Sequence, residues 1–122
     1  MGEDASEQRV IIEIGMGNDL HGMDYTKAAG RAIEDAFRHS SLPLFAVTGL
    51  SHDQMRVQVT VAVQEPDQVD VAILAAKLPR GRVKVRAVFG GLNVPTGSDT
   101  IVIAQASVEA FLPPQTGWQL KA

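Results

Sequence analysis

The sequence predicts an α+β domain: a single mixed β-sheet with two helices packed on one face, in the order β-α-β-β-α-β-β. Three patterns carry this. Val10, Ile11, Ile12 and Ile14 form a nearly continuous apolar run, as in a strand covered on both faces. Tyr25, Ala28, Ala29, Ala32, Ile33, Ala36 and Phe37 recur at helical spacing, with Lys27, Arg31, Glu34, Asp35 and Arg38 on the opposite face. Met55, Val57, Val59, Val61 and Val63 alternate with Arg56, Gln58, Thr60 and Ala62, which is the period of a strand.

Taken in order, residues 1–8 are acidic and polar and read as a disordered tail, because nothing apolar in them could be buried. A central first strand is expected near 9–16. A glycine-rich loop follows, Gly15-Met16-Gly17-Asn18-Asp19-Leu20-His21-Gly22-Met23, and ends at Asp24, a good helix N-cap. The first helix is expected near 25–39, ended by Ser40, Ser41 and Pro43. Residues 44–47 form a short candidate strand, and 55–63 the strongest one. Glu65-Pro66-Asp67 breaks that strand and caps a second helix with Val69, Ala72, Ile73 and Ala76 as its buried stripe, stopped by Pro79 and Gly81.

Val83, Val85, Ala87 and Phe89 then alternate with Arg82, Lys84, Arg86 and Val88. A second glycine-rich loop is expected over 90–99, before a last strand near 100–110. Pro113-Pro114 opens a C-terminal tail, 113–122, that carries Trp118. The expected domain is thus 9–112, with no internal repeat or linker.

Composition narrows the class. With 122 residues, 45% hydrophobic and 20% charged, the chain fits one globular domain. It has no cysteine, which excludes disulfides, thiolate nucleophiles and cysteine metal sites and suits a reducing cytoplasm. No apolar run approaches the ~18 residues of a membrane span, and the N-terminus has the character of neither a signal nor a transit peptide. A net charge of −3 argues against a general nucleic-acid binder.

Chemistry is expected first in the loop between β1 and α1. Loops that leave a strand C-terminus for a helix N-terminus are standard ligand positions, and free N–H groups there attract anions. Gly15-x-Gly17 lacks the third glycine of a dinucleotide fingerprint and there is no P-loop, so no nucleotide motif is present. Asp19, His21 and Asp24 are candidate ligand-binding residues, and carboxylate with imidazole would suit a divalent metal such as Mg, Mn or Zn. The alternative gives Asp24 to the cap, Asp19 to a turn and His21 to solvent. Lys27 falls at about the third helical position, against the helix dipole, where a lysine can act as a base or anion contact. It could equally be a solvated cation offset by Asp19 or Asp24.

The second loop offers Asn93, Thr96, Ser98 and Asp99 among three glycines, a composition that permits close backbone approach. Ten residues are long for a hairpin connection, which favours function or assembly over a plain turn, with Asn93 and Asp99 as the candidate ligand contacts. Ser98 has no histidine fixed beside it, so no Ser/His/Asp triad is indicated. Arg80, Arg82, Lys84 and Arg86 could dock an acidic partner, or simply guard a sheet edge; interleaved aromatics for base stacking are missing.

The run Gly15-Met16-Gly17-Asn18-Asp19-Leu20-His21-Gly22-Met23-Asp24-Tyr25-Thr26-Lys27-Ala28-Ala29, with Arg31-Ala32, resembles the signature of an uncharacterised bacterial family of conserved hypothetical proteins. Gly90-Gly91 and Asp99-Thr100-Ile101-Val102-Ile103-Ala104 also resemble it, and the likeness covers roughly 9–110. It implies no activity. A fainter similarity is to one repeat of the cyanuric acid hydrolase and barbiturase family, in which three related domains surround a site of lysine–serine pairs. Met16-Gly17 and Asp24-Tyr25-Thr26 fit that repeat, but Asn18 stands at the lysine position and Phe89 at the serine position. The resemblance therefore implies the fold and symmetric assembly of single-domain chains, not the activity.

The expectation is a homo-oligomer of unassigned function, with a small-molecule site formed by loops 15–27 and 90–99. The rival readings are a hydrolase or lyase acting on a small cyclic amide-like compound, with Lys27 as base, and a structural or regulatory module docking an acidic partner through the basic strand.

Overall fold

The computed structural model describes residues 7–38, 54–78 and 81–114. Strand β1 (Gln8–Asp19) leads into helix α1 (Tyr25–Arg38), and β2 (Arg56–Val63) into a 3-10 turn (Pro66–Gln68) and α2 (Val71–Ala76). Strands β3 (Arg82–Phe89), β4 (Leu92–Thr96) and β5 (Asp99–Leu112) follow. The result is one mixed five-stranded sheet with two helices, the α+β class the sequence predicts. The candidate strand at 44–47, together with His39, His52 and Trp118, lies outside the described residues.

The sheet runs β1-β5-β2-β3. The long strand β5 is its spine, antiparallel to β1 and to β2, while β3 joins β2 in parallel. Val102 and Ile103 pair with Asp19 and Asn18 of β1 and also with Asn93 and Leu92 of β4. A strand has two edges, so β4 lies on the edge opposite β1, in line with β2. Strands β1, β2 and β3 therefore all point the same way, and their C-terminal ends reach one end of the sheet. Both helices start there, tied by the Asp70 N–H donating to Thr26 Oγ1 at 2.9 Å.

Packing explains the glycines of β1. Gly15 and Gly17 face α1, and a Cβ on Gly15 would collide with the backbone of Ala32 and Ala36, one on Gly17 with that of Ala28 and Ala32. The Gly-x-Gly pair at strand period thus meets an alanine stripe at helical period, letting the helix lie backbone-close on β1. Val57, Val59, Val61 and Val63 of β2 and Val102, Ala104, Ala106, Val108 and Ala110 of β5 are buried on this same face. Burial of a valine-sized side chain contributes about 1.5–3 kcal/mol, so the bulk of the hydrophobic stabilisation lies in this layer.

Four expectations change. β1 continues to Asp19, because glycines facing a helix are compatible with a strand. It is an edge strand, not a central one: Ile12, Ile14 and Met16 lie on the face away from the helices and are exposed. The second helix is shorter and rotated from expectation. Asp70 caps it by accepting from the Ile73 N–H at 3.1 Å, so Leu74 becomes its buried anchor while Ala72, Ile73 and Ala76 face outward. Finally, 90–99 is no open loop. Gly91, at φ +62 and with no room for a Cβ against the Ile103 carbonyl, turns the chain into β4. Gly97, at φ +67, with Ser98 makes the two-residue turn between paired Thr96 and Asp99.

β3 is the other edge strand, with Arg82, Lys84 and Arg86 exposed along it, as expected for charges that guard a sheet edge.

Candidate functional site

The chain turns sharply after β1, with Gly22 and Met23 both at positive φ (92 and 51). Asp24 then caps α1, its Oδ1 accepting the Lys27 N–H at 3.0 Å. Asp19 holds the turn from below. It is 2% exposed, the one buried charged residue among those described, and its Oδ2 accepts the Asp24 N–H at 2.9 Å.

The second Asp19 oxygen faces cations. Lys27 Nζ stands 3.7 Å and Arg31 Nη1 3.8 Å from Oδ1. These residues are one helical turn apart and so share a face. Both distances exceed a hydrogen bond, and both side chains are about half exposed. Arg31 also donates to the Asn18 carbonyl at 2.7 Å. The ion pairs compensate the burial of the Asp19 carboxylate while leaving donors on both cations open to solvent.

The β4–β5 hairpin closes the other side. His21 Nδ1 lies 2.6 Å from Asp99 Oδ2; a carboxylate only accepts, so the ring nitrogen is the donor. That hydrogen bond, with a second from the Thr100 N–H at 2.9 Å, holds the Asp99 carboxyl below the usual aspartate range. Asn93 Nδ2 donates to Tyr25 Oη at 2.8 Å, and Asn93 Oδ1 is buried with no partner.

The structure therefore brings Asp19, His21, Asp24, Lys27, Asn93 and Asp99 to one end of the sheet, and adds Arg31 and Tyr25. Arg31 is legible in the sequence as the i+4 neighbour of Lys27, whereas spacing places Tyr25 only in the buried stripe. The expected candidates do not converge as a metal ligand set. Among the described residues no group of three or more histidine or carboxylate side chains could hold an ion. Asp19, Asp24 and His21 are instead spent on Asp24 N, Lys27 N and Asp99. Lys27 faces Asp19, the offset that excuses a cation in a first helical turn. Ser98 is an exposed turn residue.

A separate apolar groove of about 110 Å³ lies between α1 and α2, lined by Gly30, Ile33, Phe37, Leu74 and Leu78, with Glu34 and Lys77 at its rim. No helix among the described residues is long and apolar enough to cross a membrane.

An open sheet with two helices on one face and a polar cluster where strands end and helices begin defines an α+β protein with a candidate ligand-binding end. The chain belongs to the Lin0512 family of conserved hypothetical proteins, whose model matches residues 9–110. It is also similar to an FtsZ-like protein of unknown function from Nostoc punctiforme PCC 73102, known from a crystal structure. The two share 37% identity with a TM-score of 0.79, over 89% of this chain and 98% of that one. No curated protein matches the chain. The likeness to a cyanuric acid hydrolase repeat gains no support from these matches.

Proposed function

We propose that the protein is a cytoplasmic, homo-oligomeric binding protein for a small polar molecule, taken up between the β1–α1 turn and the β4–β5 hairpin. The observation that carries this reading is the buried Asp19 carboxylate under Lys27 and Arg31. A buried charge is expensive and is usually held by close, saturating hydrogen bonds. Here the cations stand at 3.7 and 3.8 Å from it, close enough to compensate its charge and too far to spend their donors on it. An oxygen acceptor on a ligand, from a carboxylate, a phosphate or a ring carbonyl, would accept from the donors these exposed cations retain.

Binding is tested by titrating a panel of small carboxylates, phosphates and cyclic amides and following thermal stability. Saturation at a hundred times Kd adds about 2.7 kcal/mol of stability. A ligand whose stabilisation survives in the Lys27→Ala/Arg31→Ala double variant does not use this site. Turnover of a cyclic amide, lost in Lys27→Ala, would instead favour the hydrolase reading with Lys27 as its base.

A further inference from the structure

We propose that the sheet face opposite the helices is the surface through which two copies of this chain pair, face to face about a two-fold axis running along the strands. The inference rests on the homo-oligomer part of the reading above and is independent of the ligand site.

Residue pairing defines this face. Ile12, Ile14, Met16 and Asn18 of β1 stand beside Glu109, Ser107, Gln105 and Ile103 of β5. Next come Gln58, Thr60 and Ala62 of β2 and Leu92 of β4, then Lys84, Arg86 and Val88 of β3. No described element covers it. Ile14 is 66% exposed, and Met16 and Leu92 each 55%. The β1 sequence has the continuous apolar run of a strand covered twice, yet the chain covers it once. Exposure of this kind along β1, with Leu92 of β4 on the far side of β5, marks an association surface.

Size favours a second copy. Four strands at ~4.8 Å and seven residues at ~3.3 Å span roughly 19 by 23 Å. Two such faces amount to ~900 Å² in flat projection, and side-chain relief raises the accessible area toward the ~1,200–2,000 Å² of stable complexes.

Charge fixes the orientation of that copy. An axis across the strands would stack the basic β3 of one copy on that of the other. An axis along the strands separates them and, by the register, lays Ile12 and Ile14 over the aliphatic stems of Lys84 and Arg86, whose charged heads reach the rim, and Met16 over Val88. Arg86 already lies along the face, its Nε donating to Thr60 Oγ1 at 2.9 Å.

Edge-to-edge pairing through β1 is obstructed. The Met16 N–H donates to Asp35 Oδ2 at 2.9 Å, and the Asn18 carbonyl accepts from Arg31. Helix side chains thus occupy the outer edge that another strand would need.

The test is the solution mass by light scattering over a wide dilution range, for the full wild-type chain and for Ile14→Lys/Met16→Glu. Both substitutions sit on the exposed face, and circular dichroism verifies that the variant folds. The expected result is twice the chain mass for wild type and half of that for the variant. A wild-type mass of one chain overturns the pairing and the homo-oligomer reading together. A twofold mass that persists in the folded variant overturns this face alone, as does a threefold assembly.

Discussion

His21 and Asp99, 78 residues apart in sequence, meet through a 2.6 Å hydrogen bond that joins the β1–α1 turn to the β4–β5 hairpin. The bond has a pH signature. The folded pKa of Asp99 is depressed, chiefly by His21. A depressed carboxyl contributes stability that is present above its unfolded value near ~3.9 and is lost as pH falls through the folded value. Acidification below about pH 4 should therefore lower the protection factors, taken against the intrinsic exchange rate at each pH, at Gly97, Ser98 and Thr100 before the core opens. Asp99→Asn should remove that acid-dependent step, and an unchanged acid response in the variant would refute the assignment.

Gly17→Ala and Gly30→Ala should act in opposite directions. The first places a methyl against the backbone of Ala28 and Ala32 and should cost about 3 kcal/mol or more. The second meets only Leu74 Cδ2 at 3.5 Å, an ordinary contact within a helix. It should stabilise the protein by about 0.5–1 kcal/mol. Urea denaturation of both variants checks the pair.

Asp19→Ala should destabilise by about 1–3 kcal/mol, because it strands the Asp24 N–H beneath the turn. Asp19→Asn keeps an acceptor there and should recover most of that loss while changing the charge beside Lys27 and Arg31. Equal stability of the Ala and Asn variants would show that the hydrogen bond carries no weight.

Leu74→Ala should cost about 2–5 kcal/mol, since Leu74 is the single buried side chain of α2. Ile73→Ala, on the exposed side, should change stability by much less. Thermal unfolding of the two variants distinguishes the observed helix phase from the stripe that spacing alone predicts.

These elements also show what was readable in the sequence. The alternation through Val57–Val63 and the alanine stripe of α1 place β2 and α1 within a residue or two, because each pattern is a direct record of one buried face. Asp24 is the cap its position implies. β4 was hidden because Leu92–Thr96 contains Pro95, tolerated where a strand pairs on one side alone. The phase of α2 was hidden because Asp70, not Asp67, starts the helix. The β1 run signals two covered faces, whereas the described residues cover one and leave Ile12, Ile14 and Met16 exposed. As for the site, residue types were legible in both segments, while the contacts His21–Asp99 and Tyr25–Asn93 depend on a hairpin that local spacing does not reveal.

The most direct test of the binding-site claim is an amide chemical-shift map recorded while the panel of carboxylates, phosphates and cyclic amides is titrated. The account predicts that a binding compound moves resonances over 19–31 and 92–100, and that Lys27→Ala/Arg31→Ala abolishes the shifts while the fold is kept. Shifts confined to the groove of Ile33, Phe37 and Leu74, or a panel that leaves both segments unmoved, would contradict it.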